Sequence, residues 1–182
     1  MRTYLVLLRG INVGGKNKVP MAELRAVLEE LGCSEARTYI ASGNAIVRTN
    51  MSASDLKDAI ERELPRRFRL DVELVRVLVL TPAKLRSIVA DRPEGFGDHP
   101  DTFHSDAIFL MGLPARDAMA VFDPREGVDA VWPGKGVIYS QRLSAERTKS
   151  RLGKIVGTEP YRSMTIRSWQ TVQKLHELLD DA

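Results

Sequence analysis

Cysteine is almost missing from these 182 residues: Cys33 stands alone. No intrachain disulfide can form, and no cysteine-based metal cluster can be built. Long apolar runs are missing as well. The run after Met1-Arg2-Thr3 is too short and too charged at its end for a signal sequence. No stretch approaches the ~18 apolar residues needed to cross a bilayer. Histidine is rare, with three copies, and aromatic residues make up 6%. No spacing suggests a serine triad or a glycosidase carboxylate pair, and the aromatic RNA-binding pattern of plait proteins is absent. These absences lead to the expectation of a cytoplasmic chain with no membrane contact, no metal and no cofactor.

What is present has the balance of a globular protein, 43% apolar and 28% charged. A chain of this length buries roughly 70% of its unfolded surface, enough for one medium domain or two small ones. The net charge of +3 hides an asymmetry. Residues 1–90 hold 15 Lys/Arg against 10 Asp/Glu, and residues 91–182 hold 12 against 14. Within the second half, 91–130 is acidic and 142–167 basic. Basic stretches suit an anionic ligand or nucleic acid, although solvated helix faces have the same composition.

Thr3–Leu8 reads as a buried central strand. Pro20 opens a helix carrying Met21, Leu24, Val27, Leu28 and Leu31, closed by Gly32. Arg37–Ala41 and Ala45–Thr49 are strands around the turn Ser42-Gly43-Asn44. Ser54 is expected to cap a second helix with Leu56, Ile60 and Leu64, stopped by Pro65. A strand over Asp71–Leu80 completes β-α-β-β-α-β, the split βαβ or ferredoxin-like pattern.

The order then recurs. Thr81-Pro82 starts a bridging helix with Leu85, Ile88 and Val89, and residues 91–104 form a Gly/Pro/Asp-rich boundary loop. A strand over Ser105–Met111 precedes a Pro114-led helix through Phe122. Strands over Val128–Trp132 and Val137–Arg142 flank Pro133-Gly134-Lys135-Gly136. A basic helix is expected to end near Val156, followed by a strand from about Arg162 to Arg167 and a Ser168-capped helix bearing Trp169, Val172, Leu175 and Leu179. The fold expected is α+β, two ferredoxin-like α-β plaits related by duplication. Residues 1–80 form the first, and 81–182 form a bridging helix and loop followed by the second.

Leu8-Arg9-Gly10-Ile11-Asn12-Val13-Gly14-Gly15-Lys16-Asn17, then Tyr39-Ile40-Ala41-Ser42-Gly43-Asn44, resemble signatures of a mainly bacterial family catalogued as domain of unknown function 1697. Thr165-Ile166-Arg167-Ser168-Trp169-Gln170-Thr171-Val172 looks like its closing motif. The family pattern has Asn where this chain has Ser168, and both are good helix N-caps. The resemblance implies paired α-β plaits and carries no activity.

The first loop matches G-x-x-x-x-G-K but has Asn17 where a P-loop needs Ser or Thr for magnesium, and Val19-Pro20 delays the helix. A nucleotide-hydrolysing P-loop is therefore not expected. A looser reading stands: Arg9, Lys16 and Lys18 supply charge beside a helix N-terminus. Parallel first and second strands put the loop and the Ser42-Gly43-Asn44 turn at one sheet edge. Arg9, Asn12, Gly14, Gly15, Lys16, Ser42 and Asn44 are the candidate site. The competing reading has Asn12 and Asn44 satisfying local backbone groups only.

Elsewhere, Trp132 with Lys135 and the strand start near Arg162 should gather at one edge of the second plait, with the tryptophan a stacking surface or a packing group. Lys149, Arg151, Lys154, Arg162 and Arg167 are a candidate second basic face. Asp98, His99, Asp101 and His104 have metal-ligand chemistry but a loop's chance composition. Cys33 lacks an evident histidine partner, and His176 belongs at a core edge. The function expected is a binding module for a phosphorylated or otherwise anionic ligand, nucleic acid included. The alternatives are a small enzyme acting on a phosphorylated metabolite and a structural or partner-binding protein. Oligomeric state is not legible.

Overall fold

The computed structural model describes residues 1–71 and 75–181. Its elements are β1 Arg2–Arg9, α1 Met21–Glu30, β2 Ser34–Tyr39, β3 Asn44–Thr49, α2 Ala53–Arg67, β4 Arg76–Leu80, α3 Pro82–Ala90, β5 Phe103–Leu110, α4 Ala115–Met119, β6 Asp129–Gly134, β7 Val137–Leu143, β8 Met164–Ser168 and α5 Trp169–Asp180. Three 3₁₀ turns, Ser144–Lys149, Leu152–Ile155 and Pro160–Ser163, lie between β7 and β8. The chain divides into two compact units, Met1–Leu85 together with the residues from Leu178 on, and Arg86–Glu177.

Each unit holds one four-stranded antiparallel sheet, ordered β2-β3-β1-β4 in the first and β6-β7-β5-β8 in the second. Both orders are that of the split βαβ plait. The two halves repeat one topology: β5 takes the place of β1, β7 that of β3, and β8 that of β4.

Period two in β1 explains the first unit. Tyr4, Val6 and Leu8 join Ala45, Val47 and Val77 and meet Leu24, Val27 and Leu28 of α1 and Leu56, Ile60 and Leu64 of α2. Leu5, Leu7 and Ile46, on the opposite sheet face, are buried too. Two buried faces are why β1 reads as a continuous apolar run. Each fully buried Leu or Val contributes about 1.5–3 kcal/mol, so Leu28→Ala alone would cost about 2–5 kcal/mol.

Several expectations for the first unit are corrected locally. The cap of α2 is Ser52, whose Oγ accepts from Asp55 N at 3.1 Å, and not Ser54. Pro65 lies inside α2. In the last turn it deletes a single ladder bond, and Phe68 N still reaches Leu64 O at 2.9 Å. Edge strand β2 begins earlier than expected because a bulge between Ser34 and Arg37 absorbs Glu35 at φ 53°. It also ends earlier, at Tyr39, because Ile40 turns to φ 48°. The strand expected from Asp71 is ordered as β4 from Arg76, and residues 72–74 of that stretch lie outside the described ones.

In the second unit, Ile108, Leu110, Ile138 and Met164 pack with Ala118 of α4 and Ile155. The other face is aromatic. Phe96 sits edge-on to Trp169 (5.0 Å), Tyr139 (5.3 Å) and Trp132 (6.0 Å). The boundary loop therefore contributes a core residue. Tyr139 Oη donates to Ile88 O at 2.7 Å. Helix α4 stops at Met119, short of the expected Phe122, as the chain approaches Asp123-Pro124. The basic helix expected near Val156 is absent among the described residues. Ser150, Gly153, Gly157 and Pro160 interrupt it, and only Leu152 and Ile155 are buried there, so the segment keeps 3₁₀ turns.

Candidate functional site

The chain leaves β1 at Arg9 and does not enter α1 until Met21. Between them it forms a miniature hairpin. Asn12 N donates to Asn17 O at 2.9 Å, and Lys16 N to Val13 O at 3.0 Å. Gly14 and Gly15 are the central residues, with φ of 57° and 77°. Both values suit a type I′ turn, which needs positive φ twice. No heavy atom lies within 4 Å of where a Cβ would stand at either glycine. The pair serves backbone conformation, not close packing. Lys16 and Asn17 sit in this hairpin, short of α1, so the P-loop geometry is absent, as the Val19-Pro20 step implied.

The expected convergence of loop and turn is present. Leu8 N donates to Gly43 O at 2.8 Å, and Asn12 Nδ2 to Ala41 O at 2.8 Å. Contact is tight: a Cβ on Gly43 would stand 2.7 Å from Ile11 Cδ1 and 2.8 Å from Leu8 Cβ.

The amides in this region are occupied by the fold. Asn12 Nδ2 also donates to Val19 O at 2.9 Å, while its Oδ1 accepts from Val19 N at 2.9 Å. Asn17 Nδ2 donates to Gly10 O at 2.7 Å, and its Oδ1 accepts from Asp71 N at 2.8 Å. Fully buried Asn44 donates to Tyr39 O and to Ser42 Oγ, each at 2.9 Å. Asn12 and Asn17 both occupy the left-handed region, which asparagine tolerates better than other side chains. Asn12, Asn17, Ser42 and Asn44 thus brace the loop, the turn and the approach to β4.

The cations are arranged differently. Lys16 and Lys18 are exposed. Arg9 pairs directly with Arg76 across β1 and β4, so two guanidinium stems leave one sheet face side by side. Helix α1 begins at the same sheet end with Pro20 as N-cap and no side-chain cap. Arg76 was missed in the sequence because its pairing with Arg9 depends on strand register across 67 residues.

The other candidates resolve one by one. In the second unit, Leu110 N donates to Gly136 O at 3.0 Å and Met111 N to Ser163 O at 2.9 Å, joining loop, hairpin and β8 at one end. Trp132 packs on Phe96 as part of the core. Much of the basic run is paired: Arg151 and Lys154 reach Asp123, Lys149 reaches Glu146, and Arg162 reaches Glu159. Arg167 is buried, which pulls its guanidinium down to about 10, and its Nη1 donates to Thr165 Oγ1 and Ile166 O. It belongs to no surface. Asp98 pairs with Arg92 and His104 with Asp106. Among the described residues no group of three or more His, Cys, Asp or Glu is arranged for a metal. Burial pushes the Cys33 thiol up, against a hydrogen bond with Thr49. No helix among the described residues is long and apolar enough to cross a membrane.

The family described as "Protein of unknown function (DUF1697)" matches residues 1–139. The chain is similar to a solved structure, the conserved bacterial protein SP0830 from Streptococcus pneumoniae, at 27% identity and a TM-score of 0.79, covering 97% of this chain and 98% of that one. No curated protein matches.

Proposed function

We propose that this chain, which belongs to the DUF1697 family of proteins of unknown function, is a binding module for a phosphorylated or otherwise anionic ligand at the end of its first sheet. One observation carries the reading, and the repeat within the chain supplies it. The second unit passes from β5 to α4 through residues 111–114, whereas the first takes residues 10–20 between β1 and α1. Both close the same way, Leu110 N to Gly136 O and Leu8 N to Gly43 O. A plait therefore needs only the short crossing, and the extra residues of the first loop include the exposed Lys16 and Lys18, following the strand that ends at Arg9. In this reading Arg9, Lys16, Lys18 and Arg76, with the uncapped amides of α1, attract the anion. Asn12, Gly14, Gly15, Ser42 and Asn44 hold the frame. We place the module in the cytoplasm, which suits a single buried thiol.

One observation favours a second reading. The saturated amides of Asn12 and Asn44 suit motifs that only preserve the fold. Thermal-shift screening in low salt against nucleotides, sugar phosphates, inorganic phosphate and short oligonucleotides separates the two. A ligand at 100 times its dissociation constant adds about 2.7 kcal/mol. That raises the melting temperature by several degrees at this chain length. The shift should vanish in a Lys16→Ala, Lys18→Ala double variant that melts normally without ligand. No shift with any anion refutes the module. An oligonucleotide ligand would lose affinity steeply with salt, and turnover of a hit would make the chain an enzyme.

A further inference from the structure

We propose that a cleft in the second unit, beside the 3₁₀ turn Ser144–Lys149, is a separate oxyanion site that takes a phosphate monoester. The cleft has a volume of ≈ 490 Å³ and is lined by His104, Arg142, Ser144, Ala145, Arg147 and Thr148. Ser144 N donates to Thr102 O at 2.9 Å, which seats the turn against the entry to β5. His104 and Arg142 are direct partners across β5 and β7, so both leave the same sheet face.

Donor chemistry dominates the lining: two guanidinium groups, two hydroxyls and an imidazole. Among the described residues, the guanidinium of Arg147 and the hydroxyls of Ser144 and Thr148 make no hydrogen bond or ion pair. Three carboxylates stand nearby, and one of them pairs with two of these donors. Asp106 stands behind the lining, its Oδ1 3.1 Å from His104 Nε2 and its Oδ2 3.7 Å from Arg142 Nη1. Asp129, the cross-strand partner of Arg142, accepts from Arg125 N and Arg151 N. Glu146 holds Lys149 at 2.7 Å.

Each group then has a role. Arg147 supplies the uncompensated charge, and Arg142 offers the donors that Asp106 does not use. Ser144 and Thr148 add hydroxyl donors. His104 Nε2 lies against Asp106 Oδ1, which orients the ring at the cleft. The cleft exceeds a bare phosphate, which leaves room for the ester substituent.

The test is a titration of ¹⁵N-labelled full-length protein with inorganic phosphate and with phenyl phosphate, at constant ionic strength. The expected result is saturable shifts at the amides of residues 144–148. Arg147→Gln should weaken them about tenfold or more, as loss of a charged hydrogen-bonding partner does, and Arg147→Lys should recover part of the loss. Lys16→Ala should leave them unchanged, which separates this site from the first loop. Arg147 is exposed, and the spectrum itself reports folding. Shifts that never saturate, or that survive in Arg147→Gln, overturn the site.

Discussion

Replacing Gly43 by alanine perturbs the point where the β2–β3 turn closes on the β1 loop, and its cost can be worked from two separate terms. Gly43 has φ of 79°, which costs an L-residue roughly 1–2 kcal/mol. The added Cβ would meet Ile11 Cδ1 at 2.7 Å and Leu8 Cβ at 2.8 Å. Leu8 is on the central strand and cannot swing away, so overpacking adds about 1–3 kcal/mol. The sum is a loss of about 2–5 kcal/mol. Gly14 is the internal control: its φ is 57°, but nothing lies within 4 Å of its Cβ position. There the strain term stands alone, offset by about 0.4–1 kcal/mol from a stiffer unfolded chain. Gly14→Ala should therefore cost no more than about 1.5 kcal/mol. Urea denaturation followed by far-UV circular dichroism measures both. Equal losses for the two variants would refute the argument that packing, not φ alone, makes Gly43 obligatory.

Asn12→Ala removes three hydrogen bonds and places alanine at φ 54°, so a loss of about 3–4 kcal/mol is expected in the same assay; a loss under about 1 kcal/mol would mean the amide is not a brace. Tyr139 gives a pH signature. Burial pushes its phenol from 10.0 to about 12. A raised folded-state value means the contribution is whole below pH 10 and is lost as pH rises from about 10 to 12, approaching about 2 kcal/mol. Tyr139→Phe should abolish that slope in alkaline melting curves, and an unchanged slope would assign it to other groups. Cys33 should react with a thiol reagent only as fast as the first unit opens, because the thiolate is the attacking form and burial disfavours it. Rapid native-state labelling would contradict its burial. Gly97→Ala should unfold the aromatic face, since its Cβ would lie 2.2 Å from Trp169 Cδ1; unchanged tryptophan fluorescence would refute that.

Much of the architecture was legible because local chemistry agreed with the fold. Pro20 and Gly32 bracket α1, and short apolar, β-branched runs place β1, β3, β5 and β7. Parallel first and second strands, inferred from the split βαβ order, put the loop and turn together before any contact was known. The failures have physical causes. Ser52-Ala53-Ser54-Asp55 offers two caps, and Asp55 three residues after Ser52 selects the first. The composition of 144–149 favours helix, but with too few apolar residues to bury, tertiary packing gives it no support. At the candidate site, asparagines that looked like ligand groups are consumed by main-chain partners. Arg76 was invisible because register is not a local property. His104-x-Asp106 is one face of β5, which begins at Phe103, and reading residues 91–104 as a loop concealed it.

The unpaired rims of the two sheets bear on self-association. Strands β2 and β6 each end a sheet, where exposed main-chain donors can template a neighbour's strand. In β2 the bulge at Glu35 breaks the flat register that a docking strand would copy. In β6, Pro133 removes a donor from the rim. Two unrelated devices thus guard equivalent edges of the repeat, so straightening the first or restoring the second N–H would be expected to start intermolecular β-pairing and fibre-like self-association.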